Sequence, residues 1–193
     1  MIEVEVKASV KDFSVIEAKL DKIGALKIKN EHQRDTYFNA PHKDFGETDE
    51  ALRIREIPEN NGTRFILTYK GAKMDDLSKT RKEIEVDVTD SKNMAQILMN
   101  LGFKKAAVVT KDRDIYHLNE FIITLDTVQG VGTFVEIEKD VEENQDTKDS
   151  LNQIFDIYKS LGIEEGFERR SYLELQGISW IIPNIYYIRY RIN

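Results

Sequence analysis

Glu3-Val4-Glu5-Val6-Lys7 opens the chain and decides how the rest is read. Side chains of an extended segment alternate between faces, so residues i and i+2 share a side about 7 Å apart. Glu3, Glu5 and Lys7 therefore fall on one face, Val4 and Val6 on the other. The alternation returns at Arg53-Ile54-Arg55, at Thr68-Tyr69-Lys70, at Arg81 with Glu83 and Glu85, at Lys111 with Arg113, and at Glu136 with Glu138. A solvated strand face accounts for any one of these. Six together, carrying both signs of charge, point to a sheet or barrel that gathers charge on one surface. Carboxylates so gathered suit hard metal ions, and Arg and Lys suit phosphate oxygens.

Strand character extends over 2–8, 33–38, 50–57, 63–71, 79–88, 108–116, 120–127 and 133–140. Turns are expected at Pro58-Glu59-Asn60-Asn61-Gly62 and Gly130-Val131-Gly132. Three amphipathic helices are predicted. Residues 12–23 align Phe13, Ile16, Leu20 and Ile23 before Gly24. Residues 91–101 align Met94, Ile97, Leu98 and Leu101 before Gly102, with Asp90 or Ser91 as cap. Residues 147–161 align Leu151, Ile154, Phe155, Tyr158 and Leu161 before Gly162. These stripes read as packing surfaces. Each helix follows a Glu-x-Glu strand, a weak internal echo that assigns the three pairs equivalent places. The predicted class is α+β: an eight-stranded, mainly antiparallel β-barrel or tunnel with helices outside. Val4, Val6, Ile54, Ile84, Val86 and Ile137 should face those helices. The interior should be wet or ligand-filled, because unpaired buried charge is too costly.

The 193 residues suffice for one substantial domain. With 33% charged residues but a net charge of −7, a broad nucleic-acid-binding or anionic-membrane surface is not expected. Absence of cysteine excludes disulfides, thiol nucleophiles and thiolate zinc sites. His32, His42 and His117 lack the HExxH spacing and read as polar surface residues. No phosphate-binding P-loop or GxGxxG motif occurs. Without a signal peptide or an 18-residue apolar run, a soluble cytoplasmic protein is expected. Residues 1–176 make the domain. Residues 177–193, rich in Ile and Tyr and free of acids, are an extension of unknown role, read as an edge hairpin turning near Pro183-Asn184, as a self-association segment, or as a terminal extension without function.

Glu3, Glu5, Glu83, Glu85, Glu136, Glu138 and Asp126 are candidate ligands for Mg2+ or Mn2+. Lys7, Arg53, Arg55, Lys70, Arg81, Lys111 and Arg113 are candidates to surround a polyphosphate, Arg bidentately and Lys as a point charge. A triphosphate carries about four negative charges, which several cations plus metal complement.

At this point the chain resembles a CYTH-domain protein, of the superfamily of class IV adenylyl cyclases and thiamine triphosphatases also called triphosphate tunnel metalloenzymes. Glu3-Val4-Glu5-Val6-Lys7 matches its ExExK signature. Asp35-Thr36-Tyr37-Phe38, Ala51 to Arg55, Thr68-Tyr69-Lys70-Gly71, Arg81 to Glu85, Lys111 to Tyr116, Leu125-Asp126, Gly130 to Glu138 and Arg170-Ser171-Tyr172-Leu173 follow in the family's order, over about residues 1–175. The resemblance implies a triphosphate tunnel, metal ligation by Glu3, Glu5, Glu136 and Glu138 with Asp126, Glu83 and Glu85 nearby, and phosphate binding by the seven cations. In triphosphatase members, residues matching Lys7 and Tyr37 help activate the attacking water, so these two are the catalytic candidates. Relatives are often dimers, which raises a homodimer by analogy.

Two departures bear on the reaction. Class IV cyclases carry a His-Phe pair upstream of ExExK that Met1-Ile2 does not supply, and the second Glu of Glu136-Ile137-Glu138 is more typical of triphosphatases. Gln33 to Phe38, Lys111 to Tyr116 and Arg170-Ser171-Tyr172 look most like the cyclase branch. The expectation is a metal-dependent, class IV adenylyl cyclase-like enzyme on ATP or another triphosphate. The alternatives are a triphosphatase for inorganic, thiamine or nucleoside triphosphate, and a non-catalytic polyphosphate or nucleotide-binding module.

Overall fold

The alternation begun at Glu3 closes into a ring. A computed structural model describes residues 1–143 and 145–177. Among them are eight strands: β1 (Ile2–Ser9), β2 (Leu26–Asn39), β3 (Ala51–Glu59), β4 (Gly62–Lys70), β5 (Arg81–Val88), β6 (Lys104–Leu118), β7 (Phe121–Val128) and β8 (Gly132–Val141). They form a closed barrel in the order β1-β5-β4-β3-β2-β6-β7-β8, every pair antiparallel. The α+β barrel expected from the sequence is therefore what the chain forms. Register places acids beside bases on the inner face: Lys7 opposite Glu136, Asp35 opposite Arg55, Lys70 opposite Glu83, and Arg113 opposite Asp126.

Two strands run several residues past their sequence bounds. β2 and β6 pair from Leu26 and His117 to Asn39 and Lys104, well beyond 33–38 and 108–116. The added parts are held by the ladder rather than by burial, as Leu26 is 68% exposed, so hydrophobic alternation could not mark them. The first turn is also tighter than expected: Glu59 pairs with Gly62, leaving only Asn60-Asn61 between strands and placing Pro58 inside β3.

The three predicted helices are α1 (Phe13–Lys22), α2 (Ser91–Asn100) and α3 (Thr147–Ser160). Asp12, Asp90 and Asp146 cap their starts, each accepting from backbone amides of the first turn. Gly24, Gly102 and Gly162 follow their ends at φ of +82°, +94° and +67°, the left-handed conformation that stops a helix cheaply only at glycine. α1 and α3 cover the outer face formed by Val4, Val6, Ile123, Val135 and Ile137. Fully burying side chains such as Leu20, Ile154 and Leu161 stabilises by about 1.5–3 kcal/mol each. The buried Tyr158 hydroxyl donates to the Val6 carbonyl at 2.8 Å, with the Val135 carbonyl 2.9 Å away, tying α3 across the β1–β8 seam. α2 packs with Phe38, Leu52 and Ile54. The expectation for Ile84 and Val86 fails: both are 54% exposed, because α2 lies against β3 and leaves the outer face of β5 open.

A fourth helix, α4 (Tyr172–Leu175), opens with a capping box between Ser171 and Glu174. At four residues it is too short to show periodicity. Tyr172 and Leu173 pack with Tyr37, Val109, Val128 and Phe134, so this part of the interior is an apolar plug rather than wet throughout. No helix among the described residues is long and apolar enough to cross a membrane. The expected hairpin or self-association segment at Pro183-Asn184 lies outside the described residues.

Candidate active site

Beyond the plug the lumen opens into a cavity of about 920 Å3. Its wall carries Glu3, Glu5, Glu83, Glu85, Glu136 and Glu138 together with Arg53, Arg55, Lys70, Lys79, Arg81, Lys111 and Arg113, and Tyr37. Six scattered alternations thus supply one wall, and the three Glu-x-Glu pairs share the inner face.

The cations are held in position by buried acids. Asp35 accepts from Arg55 Nε and Nη2 at 2.8 Å each and from Arg53 Nη1 at 3.1 Å. Burial alone would raise the Asp35 carboxyl, but Arg55 and Arg53 hold it well below the usual carboxylate range. Asp126 accepts from Arg113 Nε at 2.7 Å and Nη2 at 2.5 Å, from Lys111 Nζ at 3.1 Å and from the Tyr172 hydroxyl at 2.8 Å. Burial opposes its charge too, and Arg113 and Lys111 outweigh it. Lys111 is lowered to about 8, first by burial and then by Arg113. Lys70 pairs with Glu3 at 3.0 Å and with Glu83, and Arg53 lies 3.7 Å from both Glu83 and Glu85. Despite burial, Glu3 and Glu83 raise Lys70 above the ordinary lysine range.

Two expected site residues are not on the wall. Lys7 and Asp126 face inward but stand behind α4. Lys7 is 1% exposed, donates to the Arg170 carbonyl at 2.5 Å, and lies 4.1 Å from the Tyr172 ring centroid and 5.3 Å from that of Phe134. Burial, then the nearby Lys79, lowers its amine to about 7. Asp126, expected near the metal, has both oxygens engaged by Lys111, Arg113 and Tyr172.

Three residues without an assigned role are engaged with the cavity: Lys79 and Tyr172 line it, and Asp35 holds two of its arginines from behind. The Lys79 ammonium pairs with Glu5 and lies 3.0 Å from Glu136, and those carboxylates hold it above the ordinary lysine range although burial opposes them. Its signal was the two-residue period it shares with Arg81, Glu83 and Glu85. Asp35 shares a face with Tyr37, but its arginine partners appear only once β2 and β3 pair.

The donor set suits a hard divalent cation. Glu3, Glu5, Glu136 and Glu138 are oxygen ligands on the paired strands β1 and β8, with Glu5 opposite Glu138. Glu138 is pushed up to about 8 by burial and then by Glu3, the mark of carboxylates short of positive charge. Lysines supply part of that charge here, and among the described residues no three acidic side chains converge as a ready-made metal cage.

The sequence pattern of the CYTH domain matches residues 1–172. A protein of Methanocaldococcus jannaschii named "Putative adenylate cyclase MJ0240" is 42% identical over 179 residues, 92% of this chain and 100% of its own length. Adenylate cyclase CyaB of Aeromonas hydrophila is 27% identical over 175 residues, 90% of this chain and 87% of its own. The solved structure of the PH1819 protein of Pyrococcus horikoshii OT3 superposes with a TM-score of 0.82 at 41% identity, covering 90% of this chain and 97% of that one.

Proposed function

The chain belongs to the CYTH domain family, and from that premise we propose that it is a divalent-metal-dependent enzyme that converts ATP to cyclic AMP and pyrophosphate. The observation that carries this reading is one cavity whose wall joins two acid-anchored cation pairs, Arg53–Arg55 on Asp35 and Lys111–Arg113 on Asp126, to the glutamates of β1, β5 and β8. Guanidinium groups already fixed on one edge lose little freedom when their remaining N–H groups meet phosphoryl oxygens. Lys70 and Arg81 add further positive charge to the same wall.

In the proposed reaction the ribose 3′-oxygen attacks the α-phosphorus, the bond from that phosphorus to the bridging oxygen breaks, and pyrophosphate leaves. The 3′-hydroxyl proton passes to solvent. Arg53, Arg55, Lys111 and Arg113 align the phosphate chain and stabilise the charge that builds on the leaving group. Glu3, Glu5, Glu136 and Glu138 would hold the Mg2+ or Mn2+ ion, which when bound neutralises phosphoryl oxygens. The names of the relatives from Methanocaldococcus jannaschii and Aeromonas hydrophila support cyclisation over other uses of this clamp. The cytoplasm, where ATP is available, is the proposed setting.

Hydrolysis of inorganic, thiamine or nucleoside triphosphate is the second reading. It is favoured by Tyr37 on the cavity wall, within reach of solvent that enters the site. One panel separates the two. The full chain is incubated with Mg2+ or Mn2+ and ATP, tripolyphosphate or thiamine triphosphate, and the products are resolved by chromatography. Cyclic AMP with pyrophosphate supports cyclisation, and orthophosphate alone supports hydrolysis. Tight tripolyphosphate binding without turnover leaves a binding module. Absence of both binding and turnover refutes the site.

A further inference from the structure

Lys79 lies outside the strands, in the segment that leads into β5, yet it is only 8% exposed. Its ammonium sits between a carboxylate of β1 and one of β8, paired with Glu5 and 3.0 Å from Glu136 Oε1. The loop that presents it is built rather than loose. Asp75 accepts from the amides of Leu77 and Ser78 at 2.7 Å each and from the Ser78 hydroxyl at 2.6 Å. Arg169 donates to the carbonyls of Asp75 at 2.6 Å and Ser78 at 3.2 Å, and the Lys79 amide donates to the Glu5 carbonyl at 2.8 Å. With its buried polar groups answered this fully, the segment holds the ammonium on the two glutamates by design of the fold.

Two buried carboxylates need positive charge beside them. Lys79 takes Oε1 of both Glu5 and Glu136, and Arg113 takes Oε2 of Glu136 at 2.5 Å, so a divalent cation bound by these two carboxylates would compete with the ammonium for them. We propose that Lys79 is the internal counter-ion of the metal site: it neutralises Glu5 and Glu136 in the ligand-free protein, competes with the divalent cation for them, and turns to a phosphoryl oxygen when metal and triphosphate enter together. This rests on the reading of the cavity as a metal-dependent triphosphate site. Metal alone must displace an ammonium into a cavity already rich in cations, so it binds weakly. Metal with triphosphate gives that ammonium an anion to meet, so the two bind cooperatively.

The test is a Mn2+ titration of the full chain, followed by the electron paramagnetic resonance of free Mn2+, with and without tripolyphosphate. Lys79→Met should bind Mn2+ alone at least about tenfold more tightly than wild type, because a unit charge within a few ångströms of the ion is gone. Tripolyphosphate should then bind more weakly, and its coupling to Mn2+ should shrink. Lys79→Arg, which keeps the charge, should bind Mn2+ alone no better than wild type. A Lys79→Met affinity within about twofold of wild type, or below it, overturns the proposal. Folding is followed by circular dichroism. A Lys79→Met chain that folds only with Mn2+ is the expected replacement of one cation by another, and one that stays unfolded with Mn2+ overturns it. If wild type binds Mn2+ and tripolyphosphate while Lys79→Met is unchanged, only this inference falls. If wild type binds neither, the functional reading falls as well.

Discussion

Asp126→Asn isolates the question of what orients the cation cage. The Asp126 side chain has no exposed surface and meets Lys111, Arg113 and the Tyr172 hydroxyl. The substitution keeps shape, removes the charge, and turns one acceptor oxygen into a donor facing other donors. Arg113 keeps Glu136 at 2.5 Å, whereas Lys111 keeps no other salt bridge among the described residues. Removing one partner of a buried pair costs about 3–5 kcal/mol. The amide oxygen that remains recovers about 1 kcal/mol as a hydrogen-bond acceptor, leaving a net loss of about 2–4 kcal/mol. At about 2–4 °C per kcal/mol for a domain of this size, the melting temperature should fall by about 4–16 °C. Urea unfolding and thermal melts measure the loss. Tripolyphosphate supplies the missing negative charge, so it should raise the melting temperature of the variant more than that of wild type. Mn2+ affinity should hold, because Asp126 does not line the cavity. A stability loss below about 1 kcal/mol would refute the orienting role. So would a drop in Mn2+ affinity matching that of Glu5→Gln with stability intact, which would return Asp126 to the metal ligands.

Arg55→Ala should weaken tripolyphosphate binding by about 10–100-fold in calorimetry, since it removes a pre-aimed charged donor, and wild-type affinity would take Arg55 out of the clamp. Glu5→Gln should abolish metal-dependent turnover while tripolyphosphate still binds, and full activity in the variant would remove Glu5 from the metal set. Acid unfolding tests Asp35. Its carboxyl is held below its unfolded value, so it contributes stability that is present above about pH 4 and lost as pH falls below it. Asp35→Asn should therefore be less stable than wild type at pH 7 and lose less further stability between about pH 5 and pH 2, with urea midpoints across that range as the measure. Parallel curves would show that Asp35 is not the titrating anchor.

Which charges face inward was legible from two-residue alternation, since the pleat fixes the face of every residue once one is known. Lys7 shows the limit of that logic. Parity places it inside beside Glu5, but its depth is set by Tyr172, which arrives from a four-residue helix distant in the chain and covers it. The same holds for Asp126, whose parity is right and whose neighbours were unknowable until β6 paired with β7 and α4 docked. Strand partners were not legible either: nothing in Glu3 to Lys7 says that β1 meets both β5 and β8, and ring closure depends on it. Long-range pairing also decides the chemistry. Counted from sequence, seven cations and seven acids look interchangeable as ligands. Placed in the barrel, Asp35 and Asp126 are engaged in aiming arginines and lysines, whereas Glu138 makes no salt bridge among the described residues and is pushed up to about 8 by burial and Glu3. The acids thus divide into Asp35 and Asp126, each saturated by two cations that it aims, and the wall glutamates Glu3, Glu5, Glu136 and Glu138. Of these glutamates the first three are neutralised by Lys70, Lys79 and Arg113, and the last by no salt bridge among the described residues, so the second group is the one placed to exchange that charge for a metal. Glu5→Gln against Asp126→Asn is therefore the decisive pair: one should lose metal and keep its shape, the other should keep metal and lose stability.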